Sequence, residues 1–338
     1  VASGMMTEDD IDEVYKLLLN DPVQSNMTKL SEFHRFIHYT NFGTLKGILD
    51  SHRLWFSPIS GMNDYREFEA GLELFDELIV TEDHPVRLQL HAALDISSEL
   101  KEAFESIFNE ERHQALENTF VSCWSGVSKE DASPDNLTMW RGYASDGNGV
   151  AISIDPVVLG VGLADSSDII VLPVYYETRA EFDQRAQNLV STFVTKLKHS
   201  VRTFPELMTT YGWLPAQSFR ELLYLIALSH KHPGFRAENE VRFIFRRNFV
   251  SDESLLEHVM PQLTTSGLFE FFCFPLVDDA NITPGRIALP EIVSEIMIGP
   301  CSDVMLKYRA IENLLARNGF EREKVKISAS AIPYRSRR

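Results

Sequence analysis

The sequence predicts an α+β fold with one central mixed sheet and helical insertions. Short β-type runs are spread along the chain, and helical periodicity dominates two long stretches, about 68–118 and 178–230. No Pro-rich or Gly-rich linker separates two halves. We therefore expect one domain over 36–330. It follows an N-terminal segment, 1–35, and precedes a basic tail, 331–338.

The N-terminal segment predicts an amphipathic helix. Val1–Gly4 is typical of a tag remnant before a start at Met5 or Met6. Thr7 and Asp10 form a pattern that resembles a capping box, and apolar residues follow at helical spacing.

Alternating or β-rich runs predict the strands of the sheet. In the first half they lie at 36–39, 54–56, 120–125, 150–154 and 169–176. Thr40 and Asn41 are typical N-cap residues, so a short helix should follow the first strand. In the second half, strands are predicted at 241–245, 296–298 and 325–330, with a helix after Ser302-Asp303.

Composition limits the function classes. The 338 residues are 44% hydrophobic and carry a net charge of −17, so any nucleic-acid substrate would need a local basic site. No apolar run approaches the roughly 20 residues that span a bilayer. Three cysteines without paired spacing indicate a reducing compartment, and we expect a cytoplasmic protein with no membrane partner.

Four groups of residues are candidates for chemistry, because phosphate-loop, dinucleotide and nucleophile-elbow motifs are all absent. His38 and Thr40 end a strand, where they could bind a ribose or cap a helix. A turn-rich loop carries a second group, in which Asx turns are the structural alternative. That group is Met62, Asn63, Asp64 and Glu67.

The third group is Trp140 with Tyr143, which are either core residues or a stacking surface for a flat ring. The fourth is Glu238, Glu240 and Arg242. Strand alternation would put these three on one face, as an exposed row of ion pairs or as a carboxylate pair held by a guanidinium. No metal site is predicted at His230 and His232, because no Cys and no carboxylate pair lies near them in the sequence.

These motifs occur in an order that resembles the bacterial family catalogued as domain of unknown function 2971. The resemblance spans roughly residues 36–300, although Tyr65 stands where that family often has Pro and the first helical insertion is long. The residues that carry it are His38, Tyr39, Thr40, Leu45, Ile48, Asn63, Asp64, Glu67, Cys123, Trp124, Ser125, Met139, Trp140, Tyr143, Gly149, Val150, Ala151, Ile152, Phe235, Glu238, Glu240 and Arg242.

The chain is also distantly similar to ADP-ribosyltransferases of the type that modify DNA, which implies an ADP-ribosyltransferase-like form of the α+β fold. That similarity implies NAD as a substrate, Glu240 as the catalytic acid and Glu238 as its partner. His38, Thr40, Ser125 and Arg242 would bind the cofactor, Ser122 would accompany Ser125, and Tyr143 would stack on nicotinamide. It further implies a macromolecular acceptor, protein or nucleic acid, a toxin or phage-defence role, and an antitoxin or regulator as partner.

Two other classes stay open from the residues alone. One is a metal-dependent hydrolase or nuclease that uses Asp64, Glu67, Glu238 and Glu240 as oxygen ligands for Mg²⁺ or Mn²⁺. The other is a non-catalytic nucleotide-sensing or interaction module, in which Asn63, Trp140 and Arg242 would hold loops together.

Overall fold

A computed structural model describes residues 5–61, 65–95, 97–108, 117–128, 130, 135–157, 168–249, 253–264, 267–277 and 288–334. The helices in these ranges are α1 (Glu8–Leu30), α2 (Phe42–Ser51), α3 (Tyr65–Val80), α4 (Pro85–Leu94), α5 (Ser98–Phe108), α6 (Leu137–Tyr143), α7 (Arg179–Thr203), α8 (Trp213–Leu228), α9 (Leu289–Ile292) and α10 (Val304–Arg317). Among these described helices, none has both the length and the apolar character needed to cross a bilayer.

The strands are β1 (Phe33–Thr40), β2 (Arg53–Pro58), β3 (Thr119–Ser128), β4 (Val150–Ile154), β5 (Ile169–Pro173), β6 (Tyr175–Tyr176), β7 (His230–Lys231), β8 (Glu240–Arg246), β9 (Val259–Thr264), β10 (Gly267–Pro275), β11 (Val293–Ile298) and β12 (Lys326–Ala329). Ten of the described strands form one sheet in the order β12-β11-β4-β1-β3-β2-β10-β9, with β8 bonded to β3 and β5 bonded to β8. Because β11 and β12 run parallel while β1 and its neighbours are antiparallel, the sheet is mixed. The α+β class with a central mixed sheet is confirmed.

The chain forms two compact units. The first comprises the described residues of Val1–Lys29, Asn63–Ala115 and Val174–Gly234, and the second those of Leu30–Met62, Leu116–Pro173 and Phe235–Arg338. The ten-stranded sheet belongs to the second unit, and most of both predicted helical insertions belongs to the first. The run 169–176, which was predicted as one strand, is two: β5 joins the large sheet and β6 pairs with β7.

The first unit is mostly helical, and the sequence supplies side-chain caps at the starts of α1 and α7. Thr7 and Asp10 bond reciprocally at the start of α1, with the Thr7 backbone N–H donating to Asp10 Oδ2 at 2.8 Å. Thr178 and Glu181 form a complete capping box at α7. Buried side chains from these helices, among them Phe104, pack into one core.

The faces of the large sheet follow from the register of its central strands. Ile37 lies opposite Ser125, and Ser125 lies opposite Glu240, so their side chains share one face. We call it the Glu240 face. Phe36 and Trp124 alternate with these residues and point to the other face, which we call the His38 face.

Apolar residues on the His38 face form the main core of the second unit. Helices α2 and α10 cover this face with Leu45, Ile48, Ile311 and Leu315. Helix α2 begins at Asn41, whose side chain accepts a hydrogen bond from the Thr44 backbone N–H at 2.8 Å, as the sequence predicted. The core fixes strands β1, β3 and β8 as a rigid platform.

Helix α6 packs on the Glu240 face with a smaller cluster that includes Tyr39, Trp140 and Met297. The turn after α6 brings backbones into close approach. A Cβ atom built at Gly149 would lie 2.3 Å from the Thr40 carbonyl oxygen and 2.8 Å from that of Ala144. The glycine therefore lets this turn pack directly against the end of β1.

Candidate functional site

A cleft of about 330 Å³ opens on the Glu240 face of the second unit. It lies between the ends of β1 and β3, the start of α6, and the segment 236–239. Its lining residues are Ile37, Tyr39, Ser125, Gly126, Val127, Asn136, Arg236, Ala237, Glu238 and Asn239. Ligand pockets commonly begin at about 300 Å³, so the cleft has room for a small molecule or part of a larger one.

Hydrogen bonds to the backbone hold the segment 236–239 in place. The Asn136 side chain donates to the Ala237 carbonyl at 2.7 Å, and the Ser125 hydroxyl donates to the Glu238 carbonyl. The Asn239 side chain donates to the Gly126 carbonyl at 2.6 Å, and the Gly126 N–H donates to the Asn239 carbonyl at 2.7 Å. Ser125 thus acts here through its contact with the backbone of Glu238.

Asn239 has a left-handed backbone with φ of 46°. Such a conformation is strained for most residues but is tolerated by Asn. It ends the short 3₁₀ helix Pro233–Glu238, and β8 begins at the next residue, Glu240. The expectation that strand alternation aligns Glu238 with Glu240 is therefore wrong, because Glu238 precedes the strand. The turn at Asn239 brings Glu238 into the cleft instead.

Glu238 provides a carboxylate to the cleft. It is 6% exposed, and its Oε1 accepts a hydrogen bond from the Tyr143 hydroxyl at 2.7 Å. Tyr143 ends α6 and is 39% exposed. This arrangement fixes a buried carboxylate at a solvent-accessible opening, where it can meet a ligand hydroxyl or a developing positive charge.

Glu240 is bound differently from Glu238. Its Oε1 accepts a hydrogen bond from Arg242 Nε at 2.8 Å, and its Oε2 accepts one from Arg242 Nη2 at 3.3 Å. The guanidinium thus binds both carboxylate oxygens. Arg242 is 0% exposed and Glu240 is 6% exposed. The predicted pairing of a carboxylate with a guanidinium is present, and it forms a buried ion pair that lies beside the cleft rather than lining it.

His38 lies on the face opposite Glu240. Its ring contacts Trp124, with centroids 5.1 Å apart, and its Nδ1–H donates to the Cys123 carbonyl at 2.9 Å. That carbonyl lies where β3 changes partners, from β1 at Ser125 to β2 at Val121. His38 thus donates a hydrogen bond to a backbone carbonyl of the neighbouring strand. Burial lowers the pKa of His38, while the bond to Cys123 partly opposes that effect.

The sheet does not bring His38 and Glu240 together. Thr40 shares the face of His38 by alternation along β1, and it is buried. An arrangement in which His38, Thr40 and Glu240 surround one ligand is therefore not formed by these strands. The physical reason is the two-residue period of a strand, which separates His38 from Ile37 and Ser125.

Trp140 is a core residue. It is 0% exposed, its ring packs edge-on against Tyr39, and its Nε1–H donates to Asp135 at 2.6 Å. Tyr143, at the end of the same helix, reaches the solvent, so only Trp140 of this group is a core residue.

The loop group lies largely outside the described residues. Met62, Asn63 and Asp64 are outside them, and Glu67 is placed by its backbone in α3 rather than in a loop. Within the described ranges, no group of three His, Cys, Asp or Glu side chains is placed to hold a metal ion. Ser122 accepts a hydrogen bond from Trp124 Nε1 at 3.0 Å on the His38 face.

Two polar cleft residues had not been singled out from the sequence, Asn136 and Arg236. Asn136 carried a usable signal, because an Asn that follows Pro-Asp and precedes an apolar run is typical of an N-cap. It does cap α6, accepting from the Thr138 N–H at 2.9 Å. Burial, reinforced by the Asp135 carboxylate, raises the pKa of Tyr39, so its phenol stays protonated.

The fold and the cleft define an α+β protein with a polar, carboxylate-bearing site on one face of a mixed sheet. Residues 139–243 match the model of a family described as "Protein of unknown function (DUF2971)". The match runs from α6 into β8 and includes Tyr143, Glu238, Glu240 and Arg242. It is narrower than the 36–300 range expected from the motifs. No curated protein and no solved structure matches the chain.

Proposed function

We propose that this protein is an NAD-dependent ADP-ribosyltransferase in which Glu238, rather than Glu240, acts at the reacting carbon. One observation carries the proposal: a 6% exposed carboxylate lines the cleft and is oriented by a tyrosine hydroxyl 2.7 Å away. The similarity to ADP-ribosyltransferases assigned the two glutamates the opposite roles.

The proposed chemistry needs one negative charge beside a ribose. The bond between C1′ and the nicotinamide nitrogen breaks, and its electron pair leaves with nicotinamide. The ribose then resembles an oxocarbenium ion, which the Glu238 carboxylate would stabilise while accepting a hydrogen bond from the 2′-hydroxyl. An acceptor nucleophile forms the new bond to C1′ and loses its proton to solvent or to a base on the acceptor.

The shape of the cleft is consistent with partial burial of NAD. At about 330 Å³ it suits the ribosyl-nicotinamide half, and the adenylate half would extend outside. Ile37, Val127 and Ala237 provide apolar walls for a flat ring. Tyr143 would orient Glu238, a role that differs from the stacking role expected from the similarity.

Glu240 and His38 have supporting roles in this proposal. The Arg242 guanidinium already neutralises Glu240, so Glu240 is poorly suited to stabilise a second positive charge. His38 would stabilise β3, which carries Ser125 and through it the backbone of Glu238.

The test is nicotinamide release from NAD, with and without cell lysate as a source of macromolecular acceptors. Glu238→Gln keeps the shape and removes the charge, and it should lower kcat by roughly 10²-fold or more. Tyr143→Phe should lower it less, since the carboxylate remains. Glu270→Gln is the matched control, because Glu270 pairs with Arg247 away from the cleft.

Two results would overturn the proposal. Nicotinamide release that persists in Glu238→Gln would show that Glu238 takes no part in the reaction. If folded wild-type protein releases no nicotinamide, NAD chemistry is ruled out. Nucleic-acid cleavage that EDTA abolishes would instead support the metal-dependent hydrolase. Ligand binding without turnover would support the sensing module, and acceptor labelling from lysate would show the macromolecular target.

A further inference from the structure

We propose that Arg236 binds a phosphate group of the ligand, so that the cleft selects nucleotides over nucleosides. The inference rests on the proposed function, which places a ribosyl group at Glu238. Arg236 was not among the candidate residues from the sequence, and it becomes relevant because it lines the same cleft as Glu238.

The position of Arg236 is set by a rigid backbone. It lies in the 3₁₀ helix Pro233–Glu238, where its carbonyl accepts from the Asn239 N–H at 3.3 Å. The next residue, Ala237, is held by Asn136. The Arg236 side chain is exposed to solvent, so its guanidinium stands at the opening while Glu238 is buried.

Charge makes this arrangement selective. Among the lining residues, Arg236 supplies the positive charge and Glu238 the negative charge. The chain carries a net charge of −17, which repels a phosphorylated ligand at long range. A guanidinium at the opening offsets that repulsion locally, and its planar donors match the oxygens of a phosphate.

The two charges also match the layout of a nucleotide. Arg236 and Glu238 lie two residues apart in one short helix, and both line the same cleft. In a nucleotide, the ribose ring alone separates the anomeric carbon from the carbon that bears the phosphate. A ribose whose anomeric carbon lies at Glu238 can therefore direct its 5′-phosphate toward Arg236.

The experiment compares two probes that differ only in the phosphate, nicotinamide mononucleotide and nicotinamide riboside. Their binding is measured by calorimetry, which needs no turnover. Wild-type protein should bind the mononucleotide more tightly, and Arg236→Gln should weaken that binding by about 10- to 100-fold while leaving riboside binding unchanged. Added salt should weaken binding of the mononucleotide more than that of the riboside.

Arg247→Gln is the matched control. Arg247 also lies in a short 3₁₀ helix of the second unit, pairs with Glu270 at 3.0 Å and does not line the cleft. This variant should bind both probes as wild type does, and a thermal melt of each variant confirms that it is folded.

The outcomes separate this inference from the proposed function. Equal binding of both probes, or an unchanged Arg236→Gln variant, overturns the phosphate role and leaves the transferase proposal in place. Phosphate-dependent binding without nicotinamide release from NAD supports Arg236 and overturns the transferase. No binding of either probe at millimolar concentration overturns this inference as well.

Discussion

The buried pair of Glu240 and Arg242 predicts a large stability effect that is separate from activity. Glu240→Gln removes the carboxylate that pairs with a guanidinium that is 0% exposed. Removing one partner of a buried ion pair typically costs about 3–5 kcal/mol. Glu238→Gln also removes a buried carboxylate, but its amide oxygen can still accept from Tyr143, so we expect a cost of about 1 kcal/mol.

The assay is urea unfolding at neutral pH, with the free energy of unfolding compared among wild type and both variants. A third variant, Glu240→Leu with Arg242→Met, replaces both charges by apolar groups and should recover much of the loss. If Glu240→Gln and Glu238→Gln lie within about 1 kcal/mol of each other, the pair does not stabilise the fold as we infer. The difference in stability between the two variants also bears on the activity assay. If activity is lost in Glu240→Gln alone, the loss reports unfolding.

Further predictions concern the elements around the cleft. Burial lowers the pKa of His38 in the folded protein, so the unfolded chain binds a proton first as the pH falls below about 6.5. The free energy of unfolding should therefore fall in that range by up to about 1.4 kcal/mol per pH unit. His38→Asn keeps a donor to the Cys123 carbonyl and should show a flatter profile in pH-dependent unfolding. Asn239→Ala should destabilise by about 2 kcal/mol in urea unfolding, because it combines left-handed strain with loss of the bond to Gly126, and a neutral result would contradict that reasoning. Gly149→Ala should lower the melting temperature clearly. Gly142→Ala is the control, because an added Cβ there meets nothing within 4 Å, and it should be neutral or stabilising. Equal melting temperatures of the two variants would show that the turn at Gly149 can relax.

Local signals predicted much of the secondary structure. The capping pairs at α1 and the N-cap at α2 each satisfy their own helix, so neighbouring residues are enough to place them. The hairpin of β9 and β10 was missed. Pro261 interrupts the pattern of β9, and strand β9 forms because β10 pairs with it.

The residues of the candidate site could likewise be predicted from the sequence only in part. The sequence indicated Glu238, Tyr143 and Ser125 as candidate polar groups, and all three contribute to the region of the cleft. Sequence could not assign their roles, because those roles depend on contacts between segments that are distant in the chain. Glu238 meets Tyr143 from another element, and Ser125 reaches the Glu238 backbone across the sheet.

The sequence by itself determined the α+β class, the positions of most strands and the residues able to carry chemistry, since these depend on local periodicity and side-chain type. The tertiary structure alone decided which of them meet. Register placed His38 and Glu240 on opposite faces, because side chains alternate along a strand. One left-handed residue, Asn239, put Glu238 into the cleft, and packing around the sheet buried the pair of Glu240 and Arg242. Those are long-range outcomes of pairing and packing, which no short motif encodes.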